Sequence, residues 1–255
     1  MMAVVESTPG IVTREHQQQF QQEGWFLLKN VVPADHLELL RRNAQFAIEE
    51  CDAQMDRRRV DVLGLNHRGK RYFSSLVFKQ RPELRQFLFS DLMGQICQAT
   101  LGPNVWLFWE QYVIKCADKG MKFSWHQDSG YVGDPNHKPY LTCWITLDDV
   151  TEENGTVYLL PYSVSGIRTW VKHIQDPGSN DLVGYFGRER GVAVVAPAGS
   201  IAVFSSYVFH SSGANLTSRM RRVYLAQYSA QMMQRSDTDP ADAFLAEGRN
   251  ISSST

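Results

Sequence analysis

The chain has 255 residues, of which 43% are hydrophobic and 21% are charged, and these values are typical of a globular protein. Its formal net charge of −1, from 26 basic and 27 acidic residues, argues against a general nucleic-acid-binding protein, which would be strongly basic. No apolar run is long enough to span a membrane, no secretory signal is visible, and the four cysteines form no CxxC pair, so we expect a cytoplasmic protein with reduced thiols.

The first part of the chain, about residues 1–104, is predicted to be mainly helical. Thr13 is suited to cap a short polar helix that runs to Gly24. The largely apolar segment WFLLK, residues 25–29, is then typical of a short strand.

A longer amphipathic helix is predicted to follow. Pro33 is suited to the first helical position, and apolar residues recur at three- and four-residue steps as far as about Met55. The basic stretch of residues 56–73 is expected to be irregular. Pro82 then opens a second helical region, which is expected to end near residues 101–104.

From Val105 onward the pattern changes to short segments rich in β-branched and aromatic residues, separated by Gly, Pro, Asn and Asp. The predicted strands are VWLFWEQYVIK (105–115), YLTCWITL (140–147), TVYLLP (156–161), VAVVAP (192–197), SIAVF (200–204) and RVYLAQYSA (222–230). Short strands without helices between them favour an antiparallel sandwich or barrel over a parallel sheet.

We therefore predict a single domain over residues 1–255. Its core, at about 105–230, is mainly β: a double-stranded β-helix of the jelly-roll, cupin-like kind, with the N-terminal helices packed along its outside. Residues 234–255 are expected to form a polar C-terminal tail. Residues 167–190 form a long connection, which is expected to act as a lid over a site.

The stretch FSWHQDSGYVG, residues 123–133, places a histidine and an aspartate two residues apart. On an extended segment His126 and Asp128 point to the same face, where an imidazole and a carboxylate can bind one metal ion. The pattern alone is weak evidence, because a surface histidine near a solvated acid looks the same. A second imidazole is available at His210, which ends an apolar run and is expected at the end of a strand. Two histidines and one carboxylate are typical of a non-haem Fe(II) site with open positions, whereas a structural zinc site has four protein ligands.

Three arginines follow His210 closely. If the co-substrate of such an iron site is 2-oxoglutarate, its distal carboxylate requires a cation of fixed, forked geometry. Alternation along a strand places Arg219 and Arg221 on one face and Arg222 on the other. The pattern therefore leaves two candidates for that cation.

Three motifs together resemble the phytanoyl-CoA dioxygenase family of Fe(II)/2-oxoglutarate-dependent oxygenases. They are WHQD (125–128), CWITLDDVTEENGTVYLLPYS (143–163) and HSSGANLTSRMRR (210–222). The resemblance extends to FQQEGWFLLKNVVPADHLELLRR (20–42), so it covers most of the chain. It implies a dioxygenase that requires Fe(II), 2-oxoglutarate and O2, with ascorbate as the reductant in assays.

The resemblance also implies roles for particular residues. His126, Asp128 and His210 match the iron ligands of the catalytic centre. Arg221 matches the residue that binds the distal carboxylate of 2-oxoglutarate, in preference to Arg219. The further 2-oxoglutarate-binding positions that it implies are Gln127, Trp144 and Ser212, with Gln111 as a weaker candidate.

Two positions bear on the type of reaction. Relatives often carry PGSH where this chain has PYSV (161–164), so a histidine that contacts substrate there is absent or displaced. Halogenating relatives carry a small residue at the position of Asp128, so a carboxylate there favours hydroxylation of a C–H bond.

The substrate-binding residues are predicted less specifically. Aromatic residues around the metal motif are more often core than pocket, and the pocket candidates among them are Tyr131, Trp125 and Tyr140. The basic residues between Arg57 and Arg71 are typical of a solvated face. The alternative is a surface that receives an anionic substrate such as a CoA ester or a phosphonate.

We therefore expect a hydroxylase that acts on a small molecule, either a secondary metabolite or a small polar metabolite, and releases succinate and CO2. The enzymatic alternatives are an acyl-CoA hydroxylase and another outcome of the same oxidation, namely desaturation, cyclisation or epimerisation. The non-enzymatic alternative is a catalytically silent β-roll that binds a small molecule. We expect no nucleic-acid or membrane partner, and a monomer or homodimer.

Overall fold

The computed structural model describes residues 10–118, 121–132 and 136–233, and the backbone of 243–245. The helices are α1 (Arg14–Glu23), α2 (Ala34–Arg58), α3 (Arg85–Leu88), α4 (Asp91–Leu101) and α5 (Tyr162–Ser165). The strands are β1 (Trp25–Leu28), β2 (Val62–Leu63), β3 (Asn66–His67), β4 (Arg71–Ser75), β5 (Asn104–Lys115), β6 (Phe123–His126), β7 (Leu141–Thr146), β8 (Val157–Leu160), β9 (Ile174–Gln175), β10 (Leu182–Val183), β11 (Val192–Ala193), β12 (Ile201–Ser205), β13 (Phe209–Ser212), β14 (Arg221–Ser229) and β15 (Ala243–Leu245).

Helix α1 begins and ends at the predicted residues. The Thr13 hydroxyl accepts a hydrogen bond from the His16 backbone N–H at 3.3 Å, and His16 Nδ1 accepts one from the Thr13 N–H at 3.2 Å, which completes a capping box. Gly24 follows the helix with φ 81°, and a Cβ there would lie only 2.5 Å from Val208 and 2.6 Å from Tyr162. Both the backbone conformation and the available space therefore require glycine.

Helix α2 packs its apolar face on the protein core. Its buried residues are Leu39, Leu40, Asn43, Ala44, Ala47, Cys51 and Met55. The Tyr112 hydroxyl donates to the Leu40 carbonyl oxygen at 2.9 Å and so joins β5 to this helix. The helix ends at Arg58, slightly beyond the predicted Met55, and Arg59 follows in the left-handed conformation. Neither α2 nor any other described helix is long and apolar enough to cross a membrane.

The basic stretch that was expected to be irregular instead contains strands β2, β3 and β4, so this prediction was wrong. Leu63 pairs with Asn66 in a tight hairpin, and β4 pairs with β5 along its whole length. Arg71 is only 1% exposed, at a position where the strand pattern calls for an apolar residue. The strand β4 was therefore not predicted, because its buried arginine does not fit the apolar pattern of a strand.

The described strands form two main sheets and a two-stranded sheet of β9 and β10, and the pairings are antiparallel. The larger sheet has the order β1-β12-β7-β14-β5-β4-β3-β2, with β15 also paired to β5, and the smaller sheet has the order β11-β8-β13-β6. Side chains from both sheets line one cavity between them. The mainly β, jelly-roll prediction with flanking helices is therefore confirmed.

The apolar run before His210 belongs to two strands rather than one. β12 lies in the larger sheet and β13 in the smaller sheet, and residues 206–208 cross between them. His210 is the second residue of β13 and pairs with His126 of β6. The crossing escaped prediction because residues 201–206 are all buried and contain no polar, exposed turn.

Most of the predicted polar tail, residues 234–242 and 246–255, lies outside the described residues. Between these ranges Ala243–Leu245 forms β15, which pairs with residues 104–106 of β5. The chain therefore returns to the larger sheet after β14.

Glu110 is a fully buried acid in β5 whose titration affects stability. Burial raises the pKa of its carboxyl to about 8, although the Tyr224 hydroxyl and the backbone of Phe78 and Val77 lower it in part. Because the folded chain holds this proton more tightly than the unfolded chain, its stability falls as pH rises from about 4.5 to about 8.

We expect Glu110→Gln to remove this loss and to raise the free energy of unfolding at pH 8 by about 4 kcal/mol, with little effect at pH 5. Urea denaturation between pH 5 and 8 measures the difference. Glu49→Gln, at an exposed position of α2, is the matched control. A Glu110→Gln effect that does not change with pH would show that the carboxyl titrates normally.

Candidate functional site

Three predicted side chains converge between the two sheets. His126 is the last residue of β6, Asp128 begins a single 3-10 turn, and His210 faces His126 from β13. Asp128 Oδ1 lies 3.9 Å from His126 Nε2 and 3.5 Å from His210 Nε2. In the part of the chain that the structure describes, this is the one group of three or more His, Cys, Asp or Glu residues whose ligand atoms lie within 4.8 Å of one another.

Both imidazoles are oriented by the backbone. His126 Nδ1 lies 2.8 Å from the Ser124 carbonyl oxygen, and His210 Nδ1 lies 3.1 Å from the Val208 carbonyl oxygen. When Nδ1–H donates to a carbonyl, the lone pair of Nε2 is left for a metal ion. The two Nε2 atoms and the Asp128 carboxylate therefore face a common point.

The surroundings of His126 and Asp128 favour the protonation states that bind a metal. Burial, together with His210, holds the pKa of His126 well below its usual value. Burial raises the pKa of Asp128, but His210, His126 and the Thr142 hydroxyl outweigh it and lower the pKa to about 2. Thr142 Oγ1 donates to Asp128 Oδ2 at 2.5 Å, which turns Oδ1 toward the histidines. Neutral imidazoles and an ionised carboxylate are the forms that coordinate a divalent cation.

The three residues lie in the wall of a cavity of about 410 Å³. On the opposite wall, the register of the larger sheet arranges side chains in rows. Arg71, Lys115 and Arg221 form one row across β4, β5 and β14, and each is 1% exposed. We call these three residues the cationic row. Two further rows, toward the other end of β5, are Ser75, Gln111, Leu225 and Trp144, and then Trp109, Gln227 and Thr142.

Arg221 is buried at the charged end of the cavity without an ion-pair partner among the described residues. Its Nη2 donates to the Gly155 carbonyl oxygen at 3.0 Å and its Nη1 to that of Val113 at 3.4 Å, but its buried Nε has no hydrogen-bond partner. Burial lowers its pKa to about 10, so the guanidinium remains protonated at neutral pH. Its central carbon lies 5.8 Å from the centre of the Trp144 ring.

The neighbouring arginines have different surroundings. Arg219 is exposed. Arg222 lies on the other face of β14, where its Nη2 is 2.6 Å from Asp148 Oδ1. Of the three arginines, the structure brings Arg221 alone into the cavity.

Several other predicted residues also line this cavity. They are Gln111, Tyr131, Tyr140, Trp144 and Ser212. Ser212 Oγ accepts a hydrogen bond from Lys115 Nζ at 2.7 Å, and Gln111 Oε1 accepts one from Ser75 Oγ at 3.3 Å. The structure thus places these side chains beside the His-Asp-His group, and their individual roles stay predictions.

Two predicted residues lie elsewhere. Gln127 Nε2 donates to the Thr169 carbonyl oxygen at 2.8 Å, and its Oε1 accepts from the Val171 N–H at 3.0 Å, so its amide is bound outside the cavity. Trp125 lines a separate shallow groove. Both residues precede or follow His126 directly, and alternation turns them to the opposite face. The structure therefore corrects the placement of Gln127 beside 2-oxoglutarate and of Trp125 in the substrate pocket.

The connection of residues 167–190 does not cover the cavity, so the prediction of a lid was wrong. None of its residues, all of which the structure describes, lines the cavity. It packs instead on the outside of β6 and the turn that follows. Its hydrogen bonds there join Trp170 Nε1 to Ser129 O at 3.1 Å, Gln127 N to His173 Nε2 at 2.9 Å, and Gly184 N to Trp125 O at 2.9 Å. The connection therefore braces the segment that carries His126 and Asp128.

A buried ion pair holds this connection against the cationic row. Arg71 Nη2 lies 2.6 Å from Asp181 Oδ1, and both side chains are 1% exposed. Asp181 Oδ2 also accepts a hydrogen bond from the Ser124 N–H at 2.9 Å. Asp181 thus neutralises Arg71 and joins the connection to β4 and β6.

We expect Asp181→Asn to lower the free energy of unfolding by about 3 kcal/mol, because it leaves Arg71 as a buried charge without its partner. Urea denaturation measures the loss. The double change Arg71→Met with Asp181→Leu removes both charges and should cost less than Asp181→Asn alone. Wild-type stability in Asp181→Asn would show that the pair does not hold the connection.

Sequence reasoning missed several residues of the cavity. Lys115 is the most consequential, because a lysine at the end of an apolar strand is ordinarily exposed and carries no signal of burial. The signal that was available is its register with Arg221, which appears once β5 and β14 are aligned. The hairpin residues 63–66 also line the cavity, where the basic composition of this segment obscured them.

The departure from the family motif at PYSV has no consequence for the cavity. This segment enters α5, and Val164 is 49% exposed and does not line the cavity. The side chain that replaces the histidine of relatives is therefore on the outside of the protein.

The residues present fit both a metal ion and an anionic co-substrate. Two neutral imidazoles and a carboxylate are a donor set that suits Fe(II) and leaves positions for other ligands. No fourth His, Cys, Asp or Glu of the described residues joins this group, as a structural zinc site would require. The unpartnered Nε of buried Arg221, in the same cavity, fits a carboxylate.

Comparison with known proteins places the chain among oxygenases. The sequence pattern of the phytanoyl-CoA dioxygenase (PhyH) family matches residues 20–223. L-proline trans-4-hydroxylase from Streptomyces griseoviridis is 28% identical over 161 residues, which span 52% of this chain and 58% of that hydroxylase. Phytanoyl-CoA dioxygenase domain-containing protein 1 from Danio rerio is 22% identical over 84% of this chain and 89% of that protein.

The fold is shared with solved structures. EvdO2 from Micromonospora carbonacea var. aurantiaca, in complex with 2-oxoglutarate, superposes with a TM-score of 0.67 over 94% of this chain and 98% of that chain, at 23% identity. The family pattern covers most of the chain, and its range includes His126, Asp128, His210 and Arg221. The chain therefore belongs to the phytanoyl-CoA dioxygenase family of Fe(II)/2-oxoglutarate-dependent oxygenases.

Proposed function

We propose that this protein is a 2-oxoglutarate-dependent hydroxylase that oxidises a C–H bond of a small molecule and releases succinate and CO2. The observation that carries the proposal is that His126, Asp128 and His210 converge in the same cavity as the unpaired, buried Arg221. Fe(II), with 2-oxoglutarate and O2, supplies an oxidising power that amino-acid side chains lack.

The residues of the chain would bind the metal and the co-substrate, orient them, and shield the reacting groups from water. His126, Asp128 and His210 would hold the metal, and the hydrogen bond from Thr142 keeps the Asp128 carboxylate in position. Arg221 would bind the distal carboxylate of 2-oxoglutarate, against the Trp144 ring. The apolar walls of the cavity would exclude water around the reacting groups.

Hydroxylation is favoured over halogenation by Asp128. Its carboxylate occupies the position where halogenating relatives have a small side chain. Desaturation, cyclisation and epimerisation are the other outcomes of the same chemistry, and the mass of the product separates them from hydroxylation. A silent β-roll is disfavoured, because a chain without turnover would be expected to have lost one of the three ligands or Arg221.

The substrate proposed here is an uncharged compound with an apolar, ring-like surface. All arginine and lysine side chains among the described cavity-lining residues belong to the cationic row. The end of the cavity opposite the cationic row lies about 20 Å from that row along β5 and is lined by aromatic rings and side-chain amides. These residues are Phe108, Trp109, Gln111, Tyr140 and Gln227. Among the described residues of this end there is no cation for an acyl-CoA, a phosphonate or an amino-acid carboxylate, whereas hydroxyl and carbonyl groups suit the amides.

The ion pairs of Arg68 and Arg71, in the basic stretch of residues 56–73, do not change this assignment. Arg68, within the basic stretch, lies 2.7 Å from Asp56 Oδ1 and 2.9 Å from Asp61 Oδ1. Arg71 is paired with Asp181. These pairs satisfy the charges of both arginines without a substrate anion. The four cysteines are all free, which supports the further proposal of a cytoplasmic location.

The experiment is succinate formation from 2-oxoglutarate with Fe(II), ascorbate and air. The proposal expects slow formation without substrate, and faster formation with uncharged ring compounds that carry hydroxyl or carbonyl groups. Each compound is compared with its carboxylate counterpart, and with proline, 2-aminoethylphosphonate and an acyl-CoA. Stimulation by the charged compounds alone would overturn the proposed substrate class. If the protein binds neither Fe(II) nor 2-oxoglutarate, the proposed enzymatic function is wrong.

A further inference from the structure

Gln227 connects the end of the cavity opposite the cationic row, which we call the substrate end, with the His-Asp-His group. It lies on β14, lines the cavity and is 4% exposed. It pairs with Trp109 of β5 on one side and with Thr142 of β7 on the other. Its Nε2 donates to Thr142 Oγ1 at 3.2 Å, and Thr142 Oγ1 donates to Asp128 Oδ2 at 2.5 Å. Two hydrogen bonds in series therefore join Gln227 to the Asp128 carboxylate.

These two hydrogen bonds fix the direction of the Gln227 amide. An ionised carboxylate only accepts hydrogen bonds, so the Thr142 hydroxyl must donate its single proton to Asp128. The Thr142 oxygen can then only accept from Gln227, and an amide side chain donates through its NH2 group alone. Oε1 is left as the other end of the amide, and among the described residues it has no hydrogen-bond partner. Because Gln227 lies in the cavity wall, a bound molecule is the partner available to this oxygen.

The neighbours of Gln227 at the substrate end are aromatic rings. Trp109 is its direct partner in the sheet, and the ring centroids of Phe108 and Tyr140 lie 5.0 Å apart in the same part of the wall. Such rings offer a flat apolar surface to a ring-shaped molecule. A buried acceptor that loses its donor, or meets a second acceptor, weakens binding by about 10- to 100-fold. Gln227 Oε1 therefore favours a molecule that donates a hydrogen bond.

We propose that Gln227 determines substrate specificity: its Oε1 accepts a hydrogen bond from a hydroxyl or N–H group of the substrate, and the link through Thr142 holds that group at a fixed position relative to Asp128. This inference rests on the proposed function and narrows its substrate class to uncharged ring compounds that carry a hydrogen-bond donor. Its basis is a buried amide of fixed direction, with one end joined to Asp128 and the other unpartnered in the cavity wall.

The test is calorimetric titration of paired ring compounds into the full chain, loaded with Mn(II) and 2-oxoglutarate, without oxygen. The pairs are cyclohexanol with cyclohexanone, α-tetralol with α-tetralone, and 2-naphthol with its methyl ether. The first member of each pair donates a hydrogen bond, whereas the second only accepts. The variants are Gln227→Met, which removes the amide at similar size, and Gln45→Met, at an exposed position of α2, as the control.

The proposal expects the wild type to bind the donor of at least one pair about 10- to 100-fold more tightly than its counterpart. Gln227→Met should bind the two members of that pair within about twofold of each other, whereas Gln45→Met should keep the wild-type ratio. The ratio isolates the hydrogen bond, because a general change in the shape of the cavity would weaken both members together.

Titration of Co(II) alone tests the link to Asp128 without any ring compound. Without the Gln227 donor the Thr142 hydroxyl is free to turn away from Asp128. Gln227→Met should therefore weaken Co(II) binding about threefold, against about tenfold in Thr142→Val. The two losses should not add in the double variant, since Gln227 acts through Thr142.

Three results would overturn the role of Gln227. They are a donor preference that persists in Gln227→Met, unchanged Co(II) affinity in that variant, and no donor preference by the wild type in any pair, which includes no binding of any donor. The last result decides the question even if Gln227→Met does not fold. A wild type that binds neither the metal nor 2-oxoglutarate would instead overturn the proposed function, so the two failures are distinguishable.

Discussion

Arg221→Ala is expected to weaken 2-oxoglutarate binding by about 100- to 1,000-fold. Arg221 is 1% exposed and has no ion-pair partner among the described residues, so the distal carboxylate would be its counter-charge. Removal of one partner from a buried, hydrogen-bonded charge pair costs about 2–5 kcal/mol. Calorimetric titration of the Mn(II)-loaded protein with 2-oxoglutarate measures the change, and succinate formation in air should fall with it.

The chain offers a matched control in Arg219→Ala. Arg219 is two residues earlier, and the strand pattern alone made it an equal candidate, but it is exposed. Its removal should leave the Kd for 2-oxoglutarate within about twofold of the wild-type value, as expected of an exposed side chain. Wild-type affinity in Arg221→Ala, or an equal loss in Arg219→Ala, would contradict the assignment of Arg221.

Asp128→Gly is expected to reduce hydroxylation by more than about 100-fold. The change removes one of three metal-binding side chains, and even residues that only orient a metal ligand typically contribute about 10- to 100-fold to metal affinity or activity. The Fe(II) dissociation constant, measured without oxygen, and the yield of hydroxylated product report the loss. In the presence of chloride, the vacated position should permit a small amount of chlorinated product, which mass spectrometry detects.

Thr142→Val is expected to lose less activity than Asp128→Gly and serves as the comparison for that variant. Thr142 Oγ1 donates to Asp128 Oδ2 at 2.5 Å and does not belong to the His-Asp-His group. The variant should therefore lose activity by about tenfold, far less than Asp128→Gly. Full hydroxylase activity in Asp128→Gly would show that Asp128 does not bind the metal.

Much of the fold follows from local patterns in the sequence. Thr13 and Gly24 delimit α1 because a capping hydroxyl and a left-handed glycine act over a few residues. The strands from residue 104 to 229 are rich in β-branched and aromatic residues, and most lie where the pattern predicts them. Such features are local, so the sequence expresses them directly.

The features that escaped prediction depend on distant partners. Arg71 forms part of a buried strand only because Asp181, on a connection more than a hundred residues away, neutralises it. Lys115 enters the cavity because its register with Arg221 places it there. Gln127 is turned outward by alternation, and the connection of residues 167–190 binds its amide there. Pairings of this kind appear only when the chain is folded.

The prediction of the site was most accurate where one motif determines both the residue types and the direction of their side chains. His126 and Asp128 converge because they are two residues apart, and the structure keeps that arrangement even though Asp128 opens a 3-10 turn. The substrate end of the cavity was predicted less well. Tyr140 lies at this end, whereas Tyr131 lies near Arg71 and accepts a hydrogen bond from the Leu182 N–H. Trp109 and Gln227 join the substrate end through the pairing of β5 with β14.

The most direct test of the enzyme assignment is the visible charge-transfer band that forms when Fe(II) and 2-oxoglutarate are added without oxygen. Our account predicts that the band appears and saturates at one Fe(II) and one 2-oxoglutarate per chain, and that it is lost in Arg221→Ala at the concentration that saturates the wild type. Absence of the band at saturating concentrations of both would contradict the account and favour a β-roll that binds small molecules without turnover.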